Sequence, residues 1–173
     1  ALILEDALGL YVVADGMGGH RAGDIASRLV VTTVADSVKK AMANDDSDQA
    51  AYFDETLSWE ANLLLDSIHS SNQVVHDASL TNSSYRGMGS TVSAVYFTEN
   101  TLIAANVGDS PIYLVRDGKI KLLSVPHTFL EEQKALNPEK AAKLGMEFKH
   151  VLTRAVGTEK SLKTDIYEIK CFS

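Results

Sequence analysis

Hydrophobic positions recur with two different periods along this chain, and the switch between them divides it. From about Ala22 to Ala43, Val30, Val34, Val38 and Ala41 fall at helical spacing, with Lys39 and Lys40 near the end, where cations suit the helix dipole. A polar, acidic break follows, Asn44-Asp45-Asp46-Ser47-Asp48. The next stretch, from about Asp54 to Ala78, sets Leu57, Ala61, Leu64, Ile68 and Val75 on one face and predicts a second long helix. From Met88 onward the period is that of strands. Gly89 to Thr98 and Thr101 to Val107 read as antiparallel partners joined at Glu99-Asn100. Pro111 to Arg116 and Lys119 to Ser124 flank Asp117-Gly118, the strongest short hairpin signal in the chain. Residues from about Thr128 to Lys149 read as short charged helical pieces split at Asn137-Pro138 and Gly145, ahead of Val151 to Gly157 and a last strand from about Lys163 to Cys171. Near the front, Leu8-Gly9-Leu10 reads as a hairpin turn before the apolar run Leu10 to Ala14. Two consecutive long helices and then a meander of strands predict an α+β fold with helices packed on antiparallel sheets, not a doubly wound parallel sheet.

Composition narrows the function classes. At 173 residues and 45% hydrophobic content, a single domain over 1–173 with a substantial core is expected. The net charge of −7 comes without a basic stripe or aromatic-basic interleaving, so nucleic acid is a poor partner. The sole cysteine, Cys171, cannot close an internal disulfide, and His69 and His76 on the second helix read as surface or core-edge residues. No apolar stretch approaches the ~18–20 residues of a membrane span, and the expected location is cytoplasmic.

The candidate chemistry lies in Val13 to Gly23, VADGMGGHRAG. An apolar strand delivers Asp15 into a loop carrying Gly16, Gly18, Gly19 and Gly23, with His20 just before the first helix. A carboxylate at a strand end is held rigidly, and glycines let backbone carbonyls turn toward an ion. The EF-hand, HExxH and cysteine-rich patterns are all missing, as is the Lys-Ser/Thr that ends a nucleotide-binding loop. What remains is a hard oxygen site for Mg²⁺ or Mn²⁺ built from Asp15 and the Gly16 carbonyl. The plainer alternative is a turn after a strand, with His20 as a helix-start residue. Asp109, in Asn106-Val107-Gly108-Asp109-Ser110, is open to the same two readings: it either caps a tight turn or converges with Asp15 on one cleft.

The segments VADGMGGHRAGDIAS (13–27), GMGSTVSAVYF (87–97), ANVGDSPIYLVRDGKI (105–120) and LTRAVGT (152–158) resemble, in order, successive motifs of the bacterial metal-dependent Ser/Thr protein phosphatases, the PPM or protein phosphatase 2C family. The resemblance implies two antiparallel β-sheets packed as a sandwich with helical layers outside, and a binuclear Mg²⁺ or Mn²⁺ centre at one edge. It implies hydrolysis of phosphoserine and phosphothreonine on phosphoprotein substrates of a Ser/Thr kinase, by a metal-activated water. By the same resemblance Asp15 bridges the two metals, the Gly16 carbonyl ligates one of them, His20 is the general acid to the leaving oxygen, and Asp109 helps hold a third metal. Residues from about 128 to 149 fall where the family has its flap, a subdomain beside the cleft.

The same resemblance implies a domain incomplete at both termini. The family's Arg-containing motif ending in Asn-Glu-Asp would finish where this chain begins, Glu5-Asp6 is not that motif, and the family's Ser-Asp-Gly and Asp-Asn acids fall beyond Ser173. Pro111 stands where the family's motif continues with Arg. The expectation is therefore a phosphatase whose 173-residue piece binds Mn²⁺ weakly and turns over slowly or not at all. Self-association through unpaired sheet edges is a further expectation, and the alternative function is a catalytically dead, phosphatase-like regulatory module.

Overall fold

The computed structural model of the protein describes residues 1–44 and 53–171, apart from the side chains of His20, Asn44 and Met146; the acidic break expected at 44–48 falls outside the described residues beyond Asn44. The chain opens with strand β1 (Leu2–Glu5), a 3₁₀ turn over Asp6–Leu8 and strand β2 (Leu10–Val13), followed by the two-residue β3 (Gly16–Met17). Helix α1 (His20–Asn44) and helix α2 (Trp59–Thr81) come next. The strand region consists of β4 (Gly89–Ser90), β5 (Val92–Phe97), β6 (Thr101–Val107), β7 (Tyr113–Arg116) and β8 (Lys119–Leu122). Short helices α3 (Phe129–Leu136) and α4 (Pro138–Ala141), a 3₁₀ turn over Met146–His150 and strand β9 (Asp165–Lys170) complete the chain.

Five strands form one antiparallel sheet in the order β1-β2-β5-β6-β9, and β3-β4 and β7-β8 form separate two-stranded ribbons. The result is the α+β class with antiparallel sheets that the hydrophobic pattern predicts. Alternation along the strands fixes which side chains meet the helices. Leu10 and Val12 of β2, Ala94 and Tyr96 of β5, and Ile103, Ala105 and Val107 of β6 join one buried cluster with Val30, Val34 and Val38 of α1 and Leu64, Ile68 and Val75 of α2. The helical spacing of those valines and leucines is thus the spacing of the core. Burying each such side chain is worth about 1.5–3 kcal/mol. The opposite face of the sheet is open near its β1 edge, where Leu2 and Leu4 are each 59% exposed and Val13 and Phe97 each 47%.

Two element boundaries differ from expectation for local reasons. Helix α2 starts at Trp59, not near Asp54, because Ser58 caps it by accepting from the Ala61 N–H at 3.2 Å. Asp54 instead closes an Asx turn, its Oδ1 accepting from the Thr56 N–H at 2.8 Å and the Thr56 hydroxyl at 2.6 Å. The expected strand 89–98 is broken at Thr91 into β4 and β5, which belong to different sheets. The Asp117-Gly118 hairpin forms as expected, with both residues at positive φ, but as a free-standing ribbon. Cys171 lies one residue past β9, half-buried, and His69 and His76 are half-buried on α2. Burial holds the His69 imidazole below its ordinary pKa, partly offset by Asp66.

Candidate metal centre

Thr91, at the junction of β4 and β5, joins the two candidate acids. Its N–H donates to the Asp15 carbonyl at 2.8 Å, and its hydroxyl accepts from the Asp15 N–H at 3.1 Å. The same hydroxyl lies 2.8 Å from the Ser110 hydroxyl, next to Asp109. Ser90 adds a hydrogen bond from its hydroxyl to the Asp15 carbonyl at 3.1 Å. The end of β2 and the turn after β6 are therefore tied through one nearly buried threonine, 3% exposed. This bridging role explains the break in the predicted strand: Thr91 spends its backbone and side chain on the Asp15 junction.

The glycines on each side serve close approach. Gly16 pairs with Ser90 in the β3-β4 ribbon and abuts α1 so tightly that a Cβ there would overlap the Gly23 carbonyl. Gly108 has φ +100°, and a Cβ on it would stand 2.6 Å from Thr91 Cγ2. The turn after Gly108 is pinned at many points. The Gly108 carbonyl accepts from the His127 N–H at 2.9 Å and the Asn106 side-chain amide at 3.2 Å. Its N–H donates to His127 Nδ1 at 3.1 Å, and the Ser93 hydroxyl donates to the Ser110 carbonyl at 2.8 Å.

Of the residues singled out by sequence, the backbone of Asp15 and the turn that carries Asp109 are linked through this framework, with Asp15 exposed and Asp109 half-buried. Gly16 follows Asp15 directly into β3. His20 is the first residue of α1, and its side chain lies outside the described residues. Among the described residues, neither the Asp15 nor the Asp109 carboxylate accepts a hydrogen bond or forms an ion pair. Carboxylates and a backbone carbonyl are oxygen donors, the kind that suits Mg²⁺ or Mn²⁺. They do not close a shell alone: among the described residues no group of three or more His, Cys, Asp and Glu side chains converges. Beside the glycine loop, where Gly18 packs on Met88, opens a cleft of about 600 Å³ whose lining includes His76, Arg86, Met88 and Gly157.

Arg154 lies in the LTRAVGT segment that the sequence singles out, whereas its partners His127 and Asp165 carried no sequence signal. His127, left without a role by sequence reasoning, is 3% exposed and sits between the Gly108 turn and Asp165 at the start of β9. His127 Nε2 is 3.1 Å from Asp165 Oδ2, and Arg154 Nη1 donates to Asp165 Oδ1 at 2.9 Å. The Tyr167 hydroxyl approaches Asp165 Oδ2 at 3.4 Å. Burial works to raise the Asp165 carboxyl, and the hydrogen bonds from His127 and Arg154 with the Arg154 charge outweigh it, holding the group below the usual carboxylate range.

Fold and site together define an α+β protein that presents oxygen donors at one end of an antiparallel sheet. Residues 2–156 match the model of the family described as protein phosphatase 2C, and the chain belongs to that family. Protein phosphatase PhpP of Streptococcus pneumoniae is 33% identical over 159 residues, covering 90% of this chain and 59% of PhpP. The crystal structure of the Mycobacterium tuberculosis serine/threonine phosphatase PstP/Ppp superposes with a TM-score of 0.76 at 25% identity, covering 98% of this chain and 66% of that one. A structure of the PstP catalytic domain in complex with two manganese ions gives 0.72 at 24% identity, with 98% and 64% covered. The chain thus spans about three fifths of the curated relative's length.

Proposed function

We propose that the protein is a metal-dependent phosphatase of phosphoserine and phosphothreonine in proteins, acting in the cytoplasm opposite a Ser/Thr kinase. The observation that supports this reading is the Thr91 bridge, which ties the backbone of Asp15 to the turn carrying Asp109, next to Ser110, in a chain of the protein phosphatase 2C family. Asp15 and the Gly16 carbonyl would hold a pair of divalent cations, and Asp109 would contribute to a third; the names of PhpP and PstP/Ppp and the manganese of the PstP complex support the assignment. Divalent cations in such a site supply an activated water and offset phosphate charge, so no side-chain nucleophile is required. His20 is assigned the proton for the leaving serine or threonine oxygen. Residues 128–149, which contain α3 and α4, are assigned the flap beside the cleft.

The rigid backbone framework orients Asp15, and orientation is what a ligand at a strand end must provide. Among the described residues, two carboxylates and a carbonyl leave a hard cation short of protein ligands, so these 173 residues alone are expected to bind Mn²⁺ weakly and turn over slowly or not at all. The same shortage favours, as a second reading, a regulatory module that binds phosphoprotein without hydrolysing it. Hydrolysis of p-nitrophenyl phosphate and of a phosphothreonine peptide with millimolar Mn²⁺, by these residues and by the protein extended to its relatives' length, tests both. Turnover by the extended protein that disappears in Asp15→Asn supports the phosphatase; phosphopeptide binding without turnover in that protein supports the module.

A further inference from the structure

His127 grips the turn that carries Asp109 by both of its neighbour's peptide groups. Its main-chain N–H donates to the Gly108 carbonyl, and its ring Nδ1 accepts from the Gly108 N–H at 3.1 Å. Because Nδ1 accepts, the ring proton sits on Nε2, where Asp165 Oδ2 at 3.1 Å is its only acceptor among the described residues, since Arg154 Nη1, 3.2 Å from the same nitrogen, can only donate. Asp165 is in turn fixed by Arg154, and the His127 carbonyl accepts from the Thr153 N–H at 2.9 Å. The chain of contacts runs from the 153–154 segment and β9, through one buried imidazole, to the residue immediately before Asp109. Two bonds to Gly108 leave its peptide planes little freedom, and those planes set the direction of the Asp109 side chain.

We propose that His127 is a positioning residue for Asp109, with the Gly108 N–H setting the tautomer of its ring and Asp165, itself held by Arg154, fixing the tilt. This rests on the reading of Asp109 as a cation ligand. A neutral imidazole suits this position because it accepts from Gly108 on one nitrogen and donates to Asp165 on the other, which neither an amide nor a carboxylate of the same reach does at both ends. The main-chain bond from His127 to Gly108 survives substitution, so the ring's contribution can be isolated.

The test compares His127→Asn and His127→Gln in the intact protein. Asn places Oδ1 near the position of Nδ1 and keeps an acceptor for the Gly108 N–H; Gln reaches toward Asp165 and leaves that N–H without its partner. Amide hydrogen exchange at Gly108 to Ser110 reads the clamp itself, and free Mn²⁺ by electron paramagnetic resonance reads the cation site. Exchange at Gly108 is expected to quicken in the Gln variant and stay slow in the Asn variant. Mn²⁺ affinity is expected to fall about 10-fold or more in the Gln variant, the range for partners behind a ligand, and to recover most of that loss in the Asn variant. Asp109→Asn separates the two layers of the argument. If it leaves Mn²⁺ affinity unchanged, the ligand reading of Asp109 fails and the proposal with it. If it weakens binding while a folded His127→Gln binds as the parent does, His127 is only a staple of the fold and the positioning role is overturned.

Discussion

Replacing Thr91 by valine removes the bridge between the two candidate acids while leaving the shape of the junction nearly unchanged. Valine keeps the methyl that packs on Gly108 and the main-chain bond to the Asp15 carbonyl. It deletes the acceptor for the Asp15 N–H and the partner of the Ser110 hydroxyl. A donor left without its bond in a partly buried site costs about 1–3 kcal/mol, whereas the half-exposed Ser110 hydroxyl can turn to water and loses only about 0.5–1.5 kcal/mol. The total is about 1.5–4.5 kcal/mol. With a urea m-value of about 2 kcal/mol per M for a chain of this size, the unfolding midpoint falls by about 0.7–2.3 M. Urea titration followed by the fluorescence of Trp59, the sole tryptophan, measures it. Thr91→Ser is the control, since it keeps the hydroxyl and loses one buried methyl, worth about 0.8 kcal/mol. If valine unfolds at the parent's midpoint, or serine proves less stable than valine, the hydroxyl bridge does not hold this junction.

Gly108→Ala is expected to destabilise by about 2–5 kcal/mol, combining a positive-φ penalty of about 1–2 kcal/mol with overpacking against Thr91, and chemical denaturation measures it. Asp165 has a depressed carboxyl in the folded protein, so its contribution is fully present above the ordinary carboxylate range and is lost as pH falls through its folded-state value. The melting-temperature gap between the parent and Asp165→Asn should therefore narrow as pH drops from about 6 to about 3, and a constant gap would contradict the assignment. Mn²⁺ at ten times its dissociation constant should stabilise the fold by about 1.4 kcal/mol, an effect that EDTA and Asp15→Asn each abolish in thermal melts. The exposed Leu2 and Leu4 on edge strand β1 should favour association, so sedimentation velocity should show concentration-dependent assembly that Leu4→Lys suppresses.

What could be read from sequence was whatever is decided within a few residues. The Asp117-Gly118 hairpin is set by two residues that accept positive φ, and β6 spans the same Thr101–Val107 that its β-branched and apolar run predicts. The α1 valines announce the core because helical spacing and burial are one fact. The start of α2 was misjudged because Asp54 is as good a capping residue as Ser58, and only the Asx turn at Thr56 shows which of them caps the helix. Thr91 looked like one more β-branched residue in a strand run, and nothing local marks it as the place where two sheets part. The His127 network was illegible for a different reason. Its bonds join residues 19 and 38 positions apart, and a histidine after a proline gives no sign that both its nitrogens are committed.

The electrostatics of the two ends of this network differ in a way that bears on function. Asp165 is neutralised within the protein by Arg154 and accepts a hydrogen bond from the neutral His127 ring, and so stabilises the fold without needing anything from outside. The backbone on either side of Asp15 and Asp109 is fixed instead through uncharged groups: main-chain amides, the Thr91 and Ser110 hydroxyls and the turn at Gly108. In a chain of net charge −7, two carboxylates that form no ion pair among the described residues raise the local negative potential. A purely structural aspartate gains from a nearby Lys or Arg, as Asp165 does. A framework that orients two acids and leaves their charge uncompensated favours a cation arriving from solution, and the affinity for that cation depends on how rigidly the uncharged bonds hold the carboxylates in place.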